Sequence, residues 1–237
     1  MADKLAIHGG TPVRTREFGP HHEFGEEDVA AAAEVIRSGN LHKGPKVREF
    51  EAAWAARHGV KHAITATSGT AAMHVCAGAL DLDPGDEIVT TPITAGGSLM
   101  GMLFQNCVPV FADIDPLTFN IDAEQIAALI TEKTKAIVPV HLFGQCADMS
   151  AIMAIAESLG IPVIEDAAQA VGAQFEGRSA GAMGDFGTLS FFPTKNLACF
   201  GDGGAVVSRD PDLLDRARLI ANHGSRKKYH NEIIGIN

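Results

Sequence analysis

Between residues 63 and 165, short apolar runs rich in β-branched residues alternate with longer amphipathic stretches, and few folds satisfy that order. Strands are expected at residues 63–66, 87–90, 108–112, 136–140 and 162–165. Helices are expected at 71–80, 98–105, 122–130 and 150–159, with Asp122 as the N-cap of the third and Gly160 closing the fourth. Runs of four or five residues that return after a helix need crossover connections, and these build a mainly parallel sheet covered on both faces. The fold class is therefore α/β, a three-layer sandwich with a mainly parallel central sheet. After Asp166 the spacing shortens. Residues 173–175, 188–192 and 205–208 read as strands joined by glycine-rich turns, and a last helix covers 211–221.

The first 60 residues do not share this alternation. Gly9, Gly10, Pro12, Gly19 and Pro20 break any regular period. Two helices follow, one from Glu26 to the Ser38-Gly39-Asn40 stop and one over 46–58, where Val47, Phe50 and Trp54 share one face. We divide the chain into an N-terminal arm with helices, residues 1–60, and a large domain, residues 61–237. The C-terminal Ile236-Asn237 brings neither a helix stop nor a polar tail, so the expectation is a longer polypeptide in which the large domain continues.

Composition removes several classes of function. A formal charge of −10 argues against a nonspecific grip on nucleic-acid phosphate. The one basic run, Arg226-Lys227-Lys228, reads as a solvated loop. No apolar run reaches membrane-spanning length. Cys76, Cys107, Cys146 and Cys199 form no C-x-x-C pair, so neither a metal site nor a disulfide framework is expected, and reduced thiols point to the cytoplasm. Neither G-x-G-x-x-G nor G-x-x-x-x-G-K-[ST] occurs at a strand–helix turn.

In open parallel sheets, ligands sit beyond the carboxyl ends of the strands, and three polar segments fall there. Thr67-Ser68-Gly69-Thr70 opens a helix, and its backbone N–H groups and helix dipole suit an anion such as phosphate; the same serine and threonines would equally serve as N-caps. Glu165-Asp166 ends an apolar strand, where a carboxylate is costly unless paired. A protonated heteroaromatic nitrogen would be such a partner, and a helix N-cap is the alternative. Lys195 follows Ser190-Phe191-Phe192-Pro193-Thr194 in an aromatic, glycine-flanked stretch. A lysine withdrawn from water there would suit Schiff-base chemistry, whereas an exposed loop lysine would have no such role.

Taken together, these segments resemble the fold-type I pyridoxal-phosphate enzymes, and more narrowly the sugar aminotransferases of the DegT/DnrJ/EryC1/StrS type. The matching stretches are 67–72, Pro84-Gly85-Asp86-Glu87, 109–116, 134–144, 164–172, 184–196, 201–207 and Asn222-His223-Gly224. The combination of Glu165-Asp166-Ala167-Ala168-Gln169 with Ser190-Phe191-Phe192-Pro193-Thr194-Lys195-Asn196 carries the specificity of the match; neither half does so alone.

The resemblance implies pyridoxal 5'-phosphate as cofactor, with Lys195 as the Schiff-base and proton-transfer residue. It implies Asp166 against the pyridine nitrogen and Gln169 against the phenolic oxygen. Ser190 and the N–H groups of Gly69 and Thr70 fall on the phosphate positions. Asn237 matches an asparagine that reaches the phosphate of the neighbouring subunit, which implies a homodimer. The implied reaction moves an amino group from glutamate or glutamine to a nucleotide-linked keto-sugar or a cyclitol ketone. Two departures stand out. Ala95 occupies the position of the family's ring-stacking aromatic, and the family's C-terminal part lies outside this sequence. The alternatives are a pyridoxamine-phosphate-dependent sugar dehydratase, against which Lys195 argues because those relatives carry histidine there, and a truncated noncatalytic cofactor-binding chain.

Overall fold

A computed structural model of the chain describes residues 4–236. It comprises two compact units, one ending at Gly39 and the other running from Asn40. The first holds a short 3-10 turn at Ala6–His8 and helix α1, Glu26–Ser38. The Asp28 carboxylate caps this helix by accepting from the Gly25 N–H at 2.8 Å.

The second unit begins with α2, Pro45–His58, and continues through β1, His62–Ala66, and α3, Gly69–Ala79. Next come β2, Glu87–Thr90; α4, Gly96–Phe104; β3, Val108–Phe111; α5, Ala123–Leu129; and β4, Thr134–Ile137. Then follow α6, Met149–Leu159, and β5, Ile164–Asp166. The domain division expected at residue 60 is not where the units part. Trp54 and Ala55 of α2 are buried with Ala63 of β1, so α2 belongs with the sheet.

Beyond β5 the expected strand at 173–175 is only a two-residue hairpin arm, β6 (Gln174–Phe175) paired with β7 (Arg178–Ser179), outside the main sheet. The long strands are β8, Phe186–Ser190, and β9, Gly204–Ser208, followed by α7, Pro211–Ile220, and a small hairpin, β10 (Ser225–Lys227) and β11 (His230–Asn231). In one ladder β3, β2 and β4 run parallel. In the other the order is β1-β9-β8-β5, with β5 and β8 parallel. Parallel bridges Ile137↔Val163 and Val140↔Asp166 join the two into one sheet. Strand β9 runs antiparallel to both its neighbours, β1 and β8. The carboxyl ends of β1, β2, β5 and β8 therefore share one edge, and β9 starts from it.

Alternation along each strand sends neighbouring side chains to opposite layers. Ile64, Ile88, Ala136, Ile164, Phe186 and Val206 pack under α3, α4 and α7. Val89, Ile137 and Val163 pack under α5 and α6, and Ala63, Leu189, Ala205 and Val207 under α2. Helices α3 and α4 approach closely because Gly101 has no side chain: a Cβ there would lie 2.6 Å from the His74 backbone nitrogen and 2.8 Å from the Met73 carbonyl carbon. Caps fix the starts of three of these helices. Asp122, Asp148 and Asp210 accept from the first-turn N–H groups of α5, α6 and α7.

Backbone offers no flexible end that could yield to a new side chain at Gly101. Gly101→Val should lower stability by about 2–3 kcal/mol through overpacking. Gly96→Ala, with nothing within 4 Å of the added carbon, should change it by less than about 0.5 kcal/mol or raise it slightly. Urea denaturation of the two variants beside the parent checks the contrast.

Candidate active site

At the shared strand edge lies a cavity of about 430 Å³, within the range of roughly 300–1,000 Å³ usual for small-molecule and cofactor sites. Its walls include Gly69 and Thr70 from the start of α3, Ser98 of α4, Asp166 at the end of β5, Ser190 at the end of β8, and Lys195. Five of the seven residues expected at a site are therefore in one place.

Each arrives for a local reason. Ser68 caps α3: its hydroxyl accepts from the Ala71 N–H at 3.0 Å and its carbonyl from the Ala72 N–H at 2.9 Å. The N–H groups of Gly69 and Thr70 come too early in the helix to have intrahelical acceptors. Gly69 sits so near β8 that a Cβ on it would stand 2.7 Å from the Ser190 Cβ. Two early helix N–H groups and a serine hydroxyl thus converge on one wall, a donor set fitted to a phosphate.

Lys195 is half-buried on a loop held at its neck. The Phe191 carbonyl accepts from the Cys199 N–H at 2.9 Å, and the Phe192 carbonyl accepts from the Lys195 N–H at 2.8 Å. The Asn196 amide donates to the Val171 carbonyl at 2.7 Å. Phe191 itself is buried edge-on against Phe50 and Trp54 of α2, with ring centroids 5.4 Å and 5.2 Å away. The aromatic face recognised on α2 is thus what anchors the lysine loop.

Asp166 is 7% exposed, with one carboxylate oxygen accepting from the Ala168 N–H at 3.0 Å and the other from the Ser98 hydroxyl at 2.5 Å. Its neighbour Glu165 points the other way and is fully buried. It accepts from the N–H groups of Gly181 at 2.8 Å and of Met183 and Gly184 at 2.6 Å each, and it is 2.8 Å from His141 Nε2. His141 Nδ1 accepts from the Ala147 N–H at 3.1 Å, so the ring proton is on Nε2 and is donated to Glu165. Burial alone would raise the Glu165 pKa. The His141 and backbone hydrogen bonds outweigh it and hold the group below the ordinary glutamate range. Burial, aided by the Glu165 charge, pushes the nearby Cys146 thiol up to about 11.

Two expected residues are not in the cavity wall. The Gln169 side-chain oxygen accepts from the Phe143 N–H at 2.8 Å, holding a residue whose φ is +56°, and Gln169 does not line the cavity. Asn237 lies outside the described residues. Ala95 lines the cavity without a ring, and the aromatic side chain in the wall is Phe192. The sequence reading missed Ser98. Its place in the first turn of a helix at the ligand edge was the available signal, but apolar and glycine neighbours hid it.

Residues 22–237 match the DegT/DnrJ/EryC1/StrS aminotransferase family. The chain belongs to that family. It is 48% identical over 217 residues to a pleiotropic regulatory protein of Geobacillus stearothermophilus, covering 92% of this chain and 58% of that protein. It is 43% identical over 208 residues to UDP-2-acetamido-2-deoxy-3-oxo-D-glucuronate aminotransferase of Pseudomonas aeruginosa, covering 88% and 58%. Among solved structures, S. venezuelae DesV in complex with a ketimine intermediate superposes with a TM-score of 0.87 at 40% identity, covering 90% of this chain and 57% of that one. NtdA from Bacillus subtilis, with bound cofactor PMP, superposes at 0.84 and 34% identity, covering 89% and 48%. The chain thus spans a little over half the length of the curated relatives it matches. Among the described residues no helix is long and apolar enough to cross a membrane.

The buried Glu165 anion predicts a particular pH dependence. A carboxyl whose folded pKa is depressed stabilises the fold above its unfolded value, about 4.3, and loses that contribution as pH falls through the lower folded value. Stability should therefore drop as pH is lowered below about 4.3. Glu165→Gln should remove that component and, by setting an amide NH₂ against buried donors, lower stability at pH 7 by about 3 kcal/mol. Denaturant midpoints from pH 7 to pH 3 for both proteins measure it.

Proposed function

We propose that the protein is a pyridoxal-phosphate-dependent aminotransferase that moves an amino group from an amino-acid donor, glutamate or glutamine, to the carbonyl of a cyclic polyhydroxy ketone, either a nucleotide-linked keto-sugar or a cyclitol ketone. The observation that carries the reading is the meeting in one cavity of a half-buried lysine, a buried carboxylate and a phosphate-type donor set. A cationic nitrogen would pair with Asp166, and a phosphate would take the Gly69 and Thr70 N–H groups and the Ser190 hydroxyl. Family membership and the sugar aminotransferases among its relatives support the same chemistry.

When bound, pyridoxal phosphate supplies the electron sink that lets a carbon–hydrogen bond beside nitrogen break heterolytically. Asp166 would pair with the ring nitrogen and so favour its protonated form. Lys195 Nζ would hold the cofactor covalently, and as a free amine it would be placed to move a proton between the donor's α-carbon and the carbon on the far side of the donor nitrogen. Over a full cycle, donor and ketone would become a 2-keto acid and an amine. Ala95 brings no ring to the cavity wall, where the aromatic side chain is Phe192.

The reading is tested on the full-length protein. Pyridoxal phosphate should give a protein-bound visible absorption band, and borohydride should fix the cofactor to residue 195. Lys195→Ala should lose both. Asp166→Asn should retain cofactor yet lose turnover by orders of magnitude, because the sink is weakened. Amine formation from a panel of nucleotide-linked keto-sugars and cyclitol ketones, with glutamate or glutamine as donor, identifies the acceptor. A borohydride-fixed adduct persisting in Lys195→Ala would move the covalent role to another lysine.

A further inference from the structure

The hydroxyl of Ser98 meets Asp166 at 2.5 Å, in the range of charge-assisted O–H···O⁻ bonds. The Thr94 hydroxyl lies 2.6 Å from that of Ser98. A carboxylate accepts only, and serine has a single hydroxyl hydrogen, so Ser98 donates to Asp166. Its oxygen then accepts from Thr94. The result is a directed relay, Thr94 to Ser98 to Asp166. Ser98 and Asp166 are both buried, and both line the cavity.

The relay depends on how α4 is placed. A Cβ on Gly97 would stand 2.6 Å from the Thr70 hydroxyl oxygen, so a side chain there would displace either that hydroxyl or the first turn of α4. With glycine at 97 the turn closes in, and the next residue reaches across to β5. The other oxygen of Asp166 is held by the Ala168 N–H. Two donors from different segments thus fix the plane of the carboxylate, one on each oxygen. Each oxygen keeps lone-pair capacity for a further donor.

We propose that Ser98, backed by Thr94, is a positioning residue that aims the Asp166 carboxylate into the cavity for a cationic ring nitrogen. This rests on the pyridoxal-phosphate reading above. Ser98 takes no proton from substrate; its effect on the cofactor runs through Asp166. A short hydrogen bond holds the carboxylate in one orientation and removes the rotation that would otherwise be frozen on binding.

The experiment measures pyridoxal-phosphate affinity by fluorescence quenching, and the position of the visible band, for the full-length parent and for Ser98→Ala, Ser98→Thr, Thr94→Val, Asp166→Asn and the Ser98→Ala/Asp166→Asn double variant. Thermal unfolding of each cofactor-free protein separates lost packing from lost aim. Ser98→Ala should weaken binding by about tenfold and move the band. Ser98→Thr, which keeps the hydroxyl, should stay within about threefold of the parent, and Thr94→Val should fall between the two. In the Asp166→Asn background Ser98→Ala should add less than about twofold. An unchanged affinity and band in Ser98→Ala overturns the proposal and leaves the cofactor reading standing. So does an equal loss in Ser98→Thr, or a full additional loss in the Asp166→Asn background. If Ser98→Ala does not fold, Thr94→Val carries the test, and parent-like affinity and spectrum there overturn the relay. A parent protein that binds no pyridoxal phosphate brings down both readings.

Discussion

A buried carboxylate held by four hydrogen-bond donors organises this molecule. Glu165 sits in the middle of the sheet with 0% exposure, and its charge is met by His141 and three backbone N–H groups. Four donors on two oxygens come close to saturating them. An unpaired charge at that depth would cost several kcal/mol, and removing one donor would restore part of the cost. The contacts therefore fix three segments against each other: β5, the 181–184 turn that feeds β8, and the His141 crossing that follows β4. His141 also donates its backbone N–H to the Asp166 carbonyl at 2.9 Å, so the same residue grips both acids of the strand.

Placement at the ligand edge then follows from close backbone approach. Gly69 lets α3 start against β8, Gly97 lets α4 start against α3, and Gly101 keeps the two helices together further along. The cavity is where these approaches leave space. Its polar groups include hydroxyls, early helix N–H groups and the Asp166 carboxylate, all held by secondary structure, with Asp202 and Lys195 added from the stretch between β8 and β9. The Lys195 loop is closed at Phe191 and anchored through α2. The covalent and proton-moving role proposed for Lys195 would require it to shift between positions, and a tethered loop suits that better than a strand.

Much of this was legible in the sequence because it is local. The period of apolar residues located the helices and the five parallel strands, and acids and serines after apolar runs marked the ligand edge. What could not be read depends on partners far along the chain. The reversed direction of β9 follows from which strands it lies between. The stretch at 173–175 has strand composition, but it pairs only with Arg178–Ser179. The α2 aromatics look like an ordinary amphipathic face until Phe191, far along the chain, is found edge-on against the stacked Phe50 and Trp54 rings. Gln169 sits in the expected motif, yet its side chain is taken up by the Phe143 backbone. Ser98 has no polar signature of its own, and its importance appears only when β5 is beside it.

The pair Glu165-Asp166 shows how one short strand can do two jobs. Successive side chains on a strand face opposite layers, so two adjacent acids cannot share a fate. Glu165 turns into the layer with His141 and the 181–184 turn, where every contact is internal and saturated. Asp166 turns toward the open edge, where two donors hold it and lone pairs remain. The first acid makes the strand rigid and the second uses that rigidity, since a carboxylate aimed at a ligand gains most when its backbone cannot move. Exchanging the two, as Glu165→Asp with Asp166→Glu, would keep net charge and composition but leave the shorter side chain to span the distance to His141 and the 181–184 amides. It would also push the longer one into Ser98, already at 2.5 Å. The order of the two acids, more than the presence of two acids, is what this architecture requires.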